Sequence, residues 1–297
     1  MPDIFSISPV AAIFFRVVVA YGLAAYVGKK IADRQDRAEL FLWQYIFTFG
    51  IAAALALASQ SIVLDGAFWN VVLIGLIAGG GTFFSWKAIH VSQSRNALFI
   101  FWSDLIAMSL AFFVLHEGRF ITPLIGIGIA LSFAAQLGFI WGRRQKESLA
   151  FYTYVAVYSV AWGLALFGQR FWSFKEMPVP TFLFGWYTGT LVVAILIFFL
   201  SIGASRTLKN LVPLLPKDIV LTFVLAALTL LSLGLASVSY RLPQTIVQPI
   251  YSVAGMILPL LIGLFIFRER RQFTFIEWLS LGLGGIGALI VSVNLIA

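Results

Sequence analysis

Two ionisable side chains stand inside apolar runs where water is scarce. Asp104 is the tenth residue of the run 95–116, and Arg16 is the eighth of the run 9–29. A charge at membrane mid-depth is costly, so each calls for a partner or a function. Facing a cavity, they would bind a charged part of a solute, and Asp104 is also the one mid-span acid able to carry a proton. A structural Arg16–Asp104 pair, or Asp104 capping a broken helix, would satisfy the same residues. Around them the sequence places uncharged polar and aromatic groups at helical spacing. Tyr158, Trp162 and Gln169 fall at i, i+4 and i+11, and Gln244, Gln248, Tyr251 and Gly255 repeat the pattern. Thr82 with Trp86, and Trp186 with Tyr187, add further candidates. Each buried Trp or Tyr offers an apolar body with one polar handle, which suits either a cavity for an amphipathic solute or helix–helix packing. The predicted substrate-binding set is Asp104, Arg16, Trp86, Tyr158, Trp162, Gln169, Gln244, Gln248 and Tyr251.

Other residues point away from chemistry. Trp69, Trp141, Trp172 and Trp278 lie near run ends and read as interfacial belt residues. Lys87 reads as an anchor snorkelling to the interface. The chain has no cysteine and two histidines, His90 and His116, both at run ends, so neither a metal centre nor a thiol nucleophile is expected. Gly282-Leu-Gly284-Gly285-Ile-Gly287 matches a dinucleotide fingerprint, but it lies inside an apolar run with no preceding strand. There glycines serve close helix approach, and Gly126-Ile-Gly128-Ile-Ala130 does the same in an earlier run. The twelve acidic residues are scattered among connectors. An enzyme is therefore not expected, nor is a cofactor, and an integral-membrane enzyme or lipid-handling protein acting on a lipid-borne substrate is the alternative.

The elements that must position these residues follow from composition. Of 297 residues, 61% are hydrophobic and 11% charged, against about 25% charged in a soluble domain. A helix needs about 20 apolar residues to cross the hydrocarbon core. Ten runs qualify: 9–29, 40–60, 69–89, 95–116, 121–142, 152–172, 180–202, 217–239, 243–266 and 274–295. Short alternating segments of the outer-membrane barrel type are absent. The fold class is an all-α integral membrane protein of ten transmembrane helices. Pro249 and Pro259 lie inside the ninth run, with Pro243 at its first turn. Proline inside a lipid-embedded helix is tolerated where the freed carbonyls line a cavity or protein, so this run reads as bent and cavity-facing. With a net charge of +8, a soluble protein would suggest nucleic acid. Here the basic residues gather in connectors 1–2, 5–6, 7–8 and 9–10, which predicts those connectors in the cytoplasm and both termini outside.

Superposing Glu117 on Glu269 places two similar blocks on each other, each an apolar run closing in a Glu-containing turn followed by a glycine-striped run. Two five-span repeats then lie in the membrane with opposite orientation, 1–147 and 148–297. These blocks, with the turns HEGR at 116–119 and RERR at 268–271, resemble the EamA domain of the drug/metabolite transporter superfamily. The resemblance implies two inverted five-helix repeats around a central cavity, and a secondary transporter that exports a small organic solute such as an amino acid or related metabolite. It implies a multi-pass protein of the cell inner membrane that works as a monomer among lipid. Its usual arrangement has both termini in the cytoplasm, opposite to the loop charges here. The arginine that family members often carry in the second span is replaced by Gln44, while Arg16 occupies the first. The turn glutamates read as ties that accept backbone N–H bonds or pair with a neighbouring arginine, outside the substrate site.

Overall fold

The computed structural model describes residues 7–33, 37–91, 100–141, 148–203, 216–268 and 274–296. Ten apolar helices follow one another among these residues. They are α1 (Pro9–Ala32), α2 (Arg37–Ala58), α3 (Gly66–Val91), α4 (Ile100–Val114) and α5 (Pro123–Trp141). The second half holds α6 (Leu149–Phe174), α7 (Val179–Gly203), α8 (Pro216–Ser239), α9 (Gln244–Ile266) and α10 (Phe275–Ile296). Each matches one predicted run to within a few residues, and no strand occurs among the described residues. Seven helices are long and apolar enough to cross a membrane, and three shorter apolar ones complete the set.

Helix starts are written in the local sequence. Ser8 precedes Pro9, and its Oγ accepts the Ala11 N–H at 3.1 Å. Thr122 precedes Pro123 and accepts the Ile125 N–H, Ser148 accepts that of Phe151, and Asp65 accepts that of Phe68. A side-chain acceptor before a proline at the first helical position meets the N–H groups left over at a helix start. After α4 the chain turns sharply through His116, which is left-handed at φ 54°, into a short 3₁₀ turn over Glu117–Phe120.

Helices pack mainly across the two halves of the chain. α3 lies against α6 and α7, α2 against α7 and α8, and α1 against α8 and α9. α4 packs on α6 and α9, and α5 on α10. The α5–α10 contact explains one glycine of each stripe. A Cβ at Gly287 would stand 2.6 Å from the Gly128 carbonyl oxygen, and one at Gly128 would stand 2.9 Å from that of Gly287. Of the fingerprint-like glycines, Gly287 thus serves backbone-to-backbone approach, while Gly282 and Gly285 have no neighbour within 4 Å of a Cβ.

Two helices around the bundle centre are irregular. α1 is π-helical over Val17–Ala24, directly after Arg16. α9 contains Pro249 and Pro259 and becomes π-helical over Ile262–Ile266. Widened turns of this kind re-aim side chains without ending the helix.

Candidate functional site

A cavity of about 300 Å³ lies between the halves. From the first half it takes Arg16 and Tyr21 of α1, Gln44 and Tyr45 of α2, and Thr82 and Trp86 of α3. The second half contributes Trp162 of α6, Trp186 and Tyr187 of α7, Thr229 of α8 and Pro259 of α9. Its walls are aromatic. Trp162 and Trp186 have ring centroids 6.0 Å apart, and Tyr45 lies 6.4 Å from Tyr187. The cavity runs past Gly28 and Ile89 toward the end of the bundle where α1 and α3 terminate. At that end Lys29 Nζ donates to the Ile89 carbonyl at 3.1 Å and pairs with Asp33 at 3.0 Å.

Arg16 is the charged group of this wall. It is 7% exposed, and its guanidinium stands 4.0 Å from the Tyr251 ring centroid, 5.7 Å from Tyr240 and 5.8 Å from Tyr21. Three ring faces stabilise the cation electrostatically, but a ring face is a poor hydrogen-bond acceptor. Nε and Nη1 have no hydrogen-bond partner.

Asp104, expected near the solute, does not line this cavity. It is 2% exposed, and α9 takes both its oxygens. Gln248 Nε2 donates to Oδ1 at 2.6 Å, and Ser252 Oγ donates to Oδ2. Gln248 and Ser252 are one helical turn apart on either side of Pro249, so one face of α9 grips one carboxylate on α4. The Gln248 Oε1 accepts from Tyr240 Oη at 2.5 Å, and Gln244 Nε2 approaches the same oxygen at 3.5 Å. Tyr251 donates to Ser239 Oγ at 2.7 Å. Arg16 therefore meets tyrosine rings, while the Asp104 carboxylate is held by amide and hydroxyl donors. In place of the direct Arg16–Asp104 pair that stood as the structural alternative, a relay through Tyr240 and Gln248 lies between them.

The other predicted residues divide. Trp86 and Trp162 line the cavity with Arg16, and Tyr251 backs the guanidinium from outside the lining. Tyr158 is buried with Phe151, Val155 and Met256, and its hydroxyl has no partner. Gln169 bridges to α8, donating to the Leu233 carbonyl at 2.9 Å and to Ser237 Oγ at 3.0 Å. Gln244 and Gln248 belong to the Asp104 network. Tyr21, Tyr45, Thr229 and Ser232 line the cavity and were missed. Their signal in the sequence is one hydroxyl among many apolar neighbours, too weak to separate them from packing residues. Trp69 and Trp278 expose more than half of their surface, as belt residues do.

The end opposite the cavity mouth is tied shut. Glu117 is 1% exposed and Arg170 is 3% exposed. Arg170 Nε donates to Glu117 Oε1 at 2.5 Å, and Nη1 donates to the Tyr240 carbonyl at 2.5 Å. Oε2 of Glu117 accepts the Thr245 N–H at 2.9 Å and its hydroxyl at 3.2 Å. One carboxylate thus joins the α4–α5 turn, the end of α6 and the first turn of α9. The tie reaches further than the expected local one, because its arginine comes from another helix. Glu269 lies outside the described residues. Among those residues, no group of three or more His, Asp or Glu side chains comes together as a metal site.

No family model matches the sequence, and no curated protein matches it. Among 25 matching solved chains, one described only as the crystal structure of a protein superposes with a TM-score of 0.70. It covers 96% of this chain and 97% of that chain at 15% identity, a likeness of fold alone. Composition and architecture together are those of an all-helical, multi-pass membrane protein.

Proposed function

We propose that the protein is a secondary transporter that moves a small organic solute by alternating access, built from two inverted five-helix repeats, 1–147 and 148–297. The observation that carries the reading is the pairing of a central cavity with ends of unequal closure. The cavity is walled by both halves, runs toward one end, and is backed at the other by the Glu117–Arg170–Thr245 tie. A volume of about 300 Å³ lies at the lower edge of small-molecule sites, which run from about 300 to 1,000 Å³.

The helix contacts support the repeat. α3 on α6 is answered by α8 on α1, α3 on α7 by α8 on α2, and α4 on α6 by α9 on α1. α2–α7, α4–α9 and α5–α10 each join a helix to its own counterpart. The ends agree as well, since Lys29 caps the Ile89 carbonyl as Arg170 caps that of Tyr240. This is the plan of an inverted repeat with its site at the repeat interface, and it favours membership of the EamA-type drug/metabolite transporters. The mouth lies on the side of the basic connectors, which supports reading it as cytoplasmic in a cell inner-membrane protein.

Purified protein in liposomes, offered labelled organic acids, amino acids, nucleosides and sugars, is expected to show saturable counterflow for one class. Absence of counterflow for every class overturns the carrier. Orientation is read by placing a cysteine at position 146 in the thiol-free chain, where labelling by an impermeant outside reagent would reverse the assignment.

A further inference from the structure

We propose that the cavity binds an organic monoanion, a carboxylate on an aromatic body, and discriminates against amines and zwitterionic amino acids. The proposal rests on the carrier reading and names its solute class. Its core is the contrast between a buried cation in the wall and, among the described lining residues, no acidic side chain.

Arg16 lines the cavity while more than nine-tenths buried, and Nε and Nη1 have no hydrogen-bond partner. Buried N–H donors are normally paired, and guanidinium donors fit carboxylate oxygens best. The protein's own nearby carboxylate is not free to serve, because Gln248 and Ser252 occupy both oxygens of Asp104. Behind the guanidinium stand tyrosine rings that hold the cation in place, while Nε and Nη1 keep no hydrogen-bond partner. A ligand carboxylate is the chemistry that balances this cation from the cavity side.

The rest of the wall fixes the ligand's other end. Among the described lining residues there is no Asp or Glu to hold an ammonium. A cationic ligand could use the aromatic faces, but Arg16 would repel it within the same small volume. An α-ammonium beside the carboxylate would meet the same repulsion, so free amino acids are disfavoured. Trp162 and Trp186 supply flat apolar surface for a ring. Across the cavity the buried Gln44 amide donates weakly to Thr229 at 3.5 Å, and its Oε1 has no partner.

The test uses the full chain in nanodiscs and four ring compounds that differ in charge: 4-hydroxyphenylacetate, its methyl ester, tyramine and tyrosine. Binding is read by tryptophan fluorescence and calorimetry. The acid is expected to bind at least about tenfold tighter than the ester, a gap of about 1.4 kcal/mol, with tyramine and tyrosine weaker still. Arg16→Gln is expected to bring the acid down to the level of the ester, and Arg16→Lys to restore part of the difference. If tyramine or tyrosine binds as tightly as the acid, or if the acid does not bind at millimolar concentration, the proposal is overturned. The wild-type series decides this even if the variants fail to fold. Binding of the acid without counterflow would sink the carrier reading alone, and counterflow confined to amines or amino acids would sink the anion site alone.

Discussion

Arg170 reaches Glu117 across 53 residues of sequence and meets it at 2.5 Å, both side chains almost wholly buried. The pair closes one end of the bundle, because its remaining hydrogen bonds run to the Tyr240 carbonyl at the end of α8 and to the N–H and hydroxyl of Thr245 at the start of α9. Any conformation that opens this end must part them.

Breaking one partner should therefore act on stability and on access together. Arg170→Leu leaves the Glu117 carboxylate buried without its counter-ion, at a cost of about 3–5 kcal/mol. The measurement is thermal unfolding in detergent, and an unchanged midpoint would contradict the buried pair. Glu117→Gln keeps the shape and removes the charge. With a reporter cysteine at Leu233, a cavity residue, it should speed labelling from the side of the tie.

Asp104 gives a prediction of opposite sign for stability and binding. Asp104→Asn removes an acceptor from Gln248 or Ser252, so stability should fall by about 1–3 kcal/mol. Where the carboxyl is ionised, the substitution also removes a negative charge that interacts electrostatically with Arg16, so affinity for an organic anion should rise. Titration of the acid probe into the variant checks this, and weaker anion binding in a folded variant would refute it.

Gly75 and Gly189 set the distance between α3 and α7. A Cβ at Gly189 would stand 2.0 Å from the Val72 carbonyl oxygen, and one at Gly75 would stand 2.2 Å from that of Trp186. Both clashes are with backbone, which cannot swing aside. Gly189→Ala should cost about 1–3 kcal/mol through forced separation and weaken binding by shifting Trp186 and Tyr187. A variant with wild-type melting and binding would rule out this packing.

Gln169 and Trp162 share a helix face yet should behave differently. Gln169→Leu removes a bridge whose α8 partners already bond each other, since Ser237 Oγ also donates to the Leu233 carbonyl. Its stability effect should stay within about 1 kcal/mol, with probe affinity preserved. Trp162→Ala should lose affinity severalfold. Equal effects on binding would erase the distinction between wall and packing residue.

That contrast shows where the sequence was legible. The ten helices follow from apolarity and length, because partition into lipid is decided by each run alone. The facing of each helix does not, since its lipid side and its buried side are both apolar and polar periodicity is faint. Tyr158, Trp162 and Gln169 all satisfy helical spacing, but of the three only Trp162 lines the cavity. Asp104 was conspicuous as a mid-span acid, yet its partners lie 144 and 148 residues away. Arg170 escaped notice altogether, since an arginine at a run end looks like an interfacial anchor until Glu117 is brought to it.

Among the described residues, the two ends of the bundle are fastened by unequal means. One holds a desolvated carboxylate–guanidinium pair. The other holds Lys29 on a carbonyl and on Asp33, a carboxylate with 42% of its side chain exposed, and pairs of that kind contribute only about 0–1 kcal/mol. On the proposed carrier reading, such asymmetric locks predict an uneven cycle: empty, the protein should dwell with its mouth on the side fastened by Lys29. The slow step is then the unloaded excursion to the far side, so exchange of solute for solute should outrun net flux.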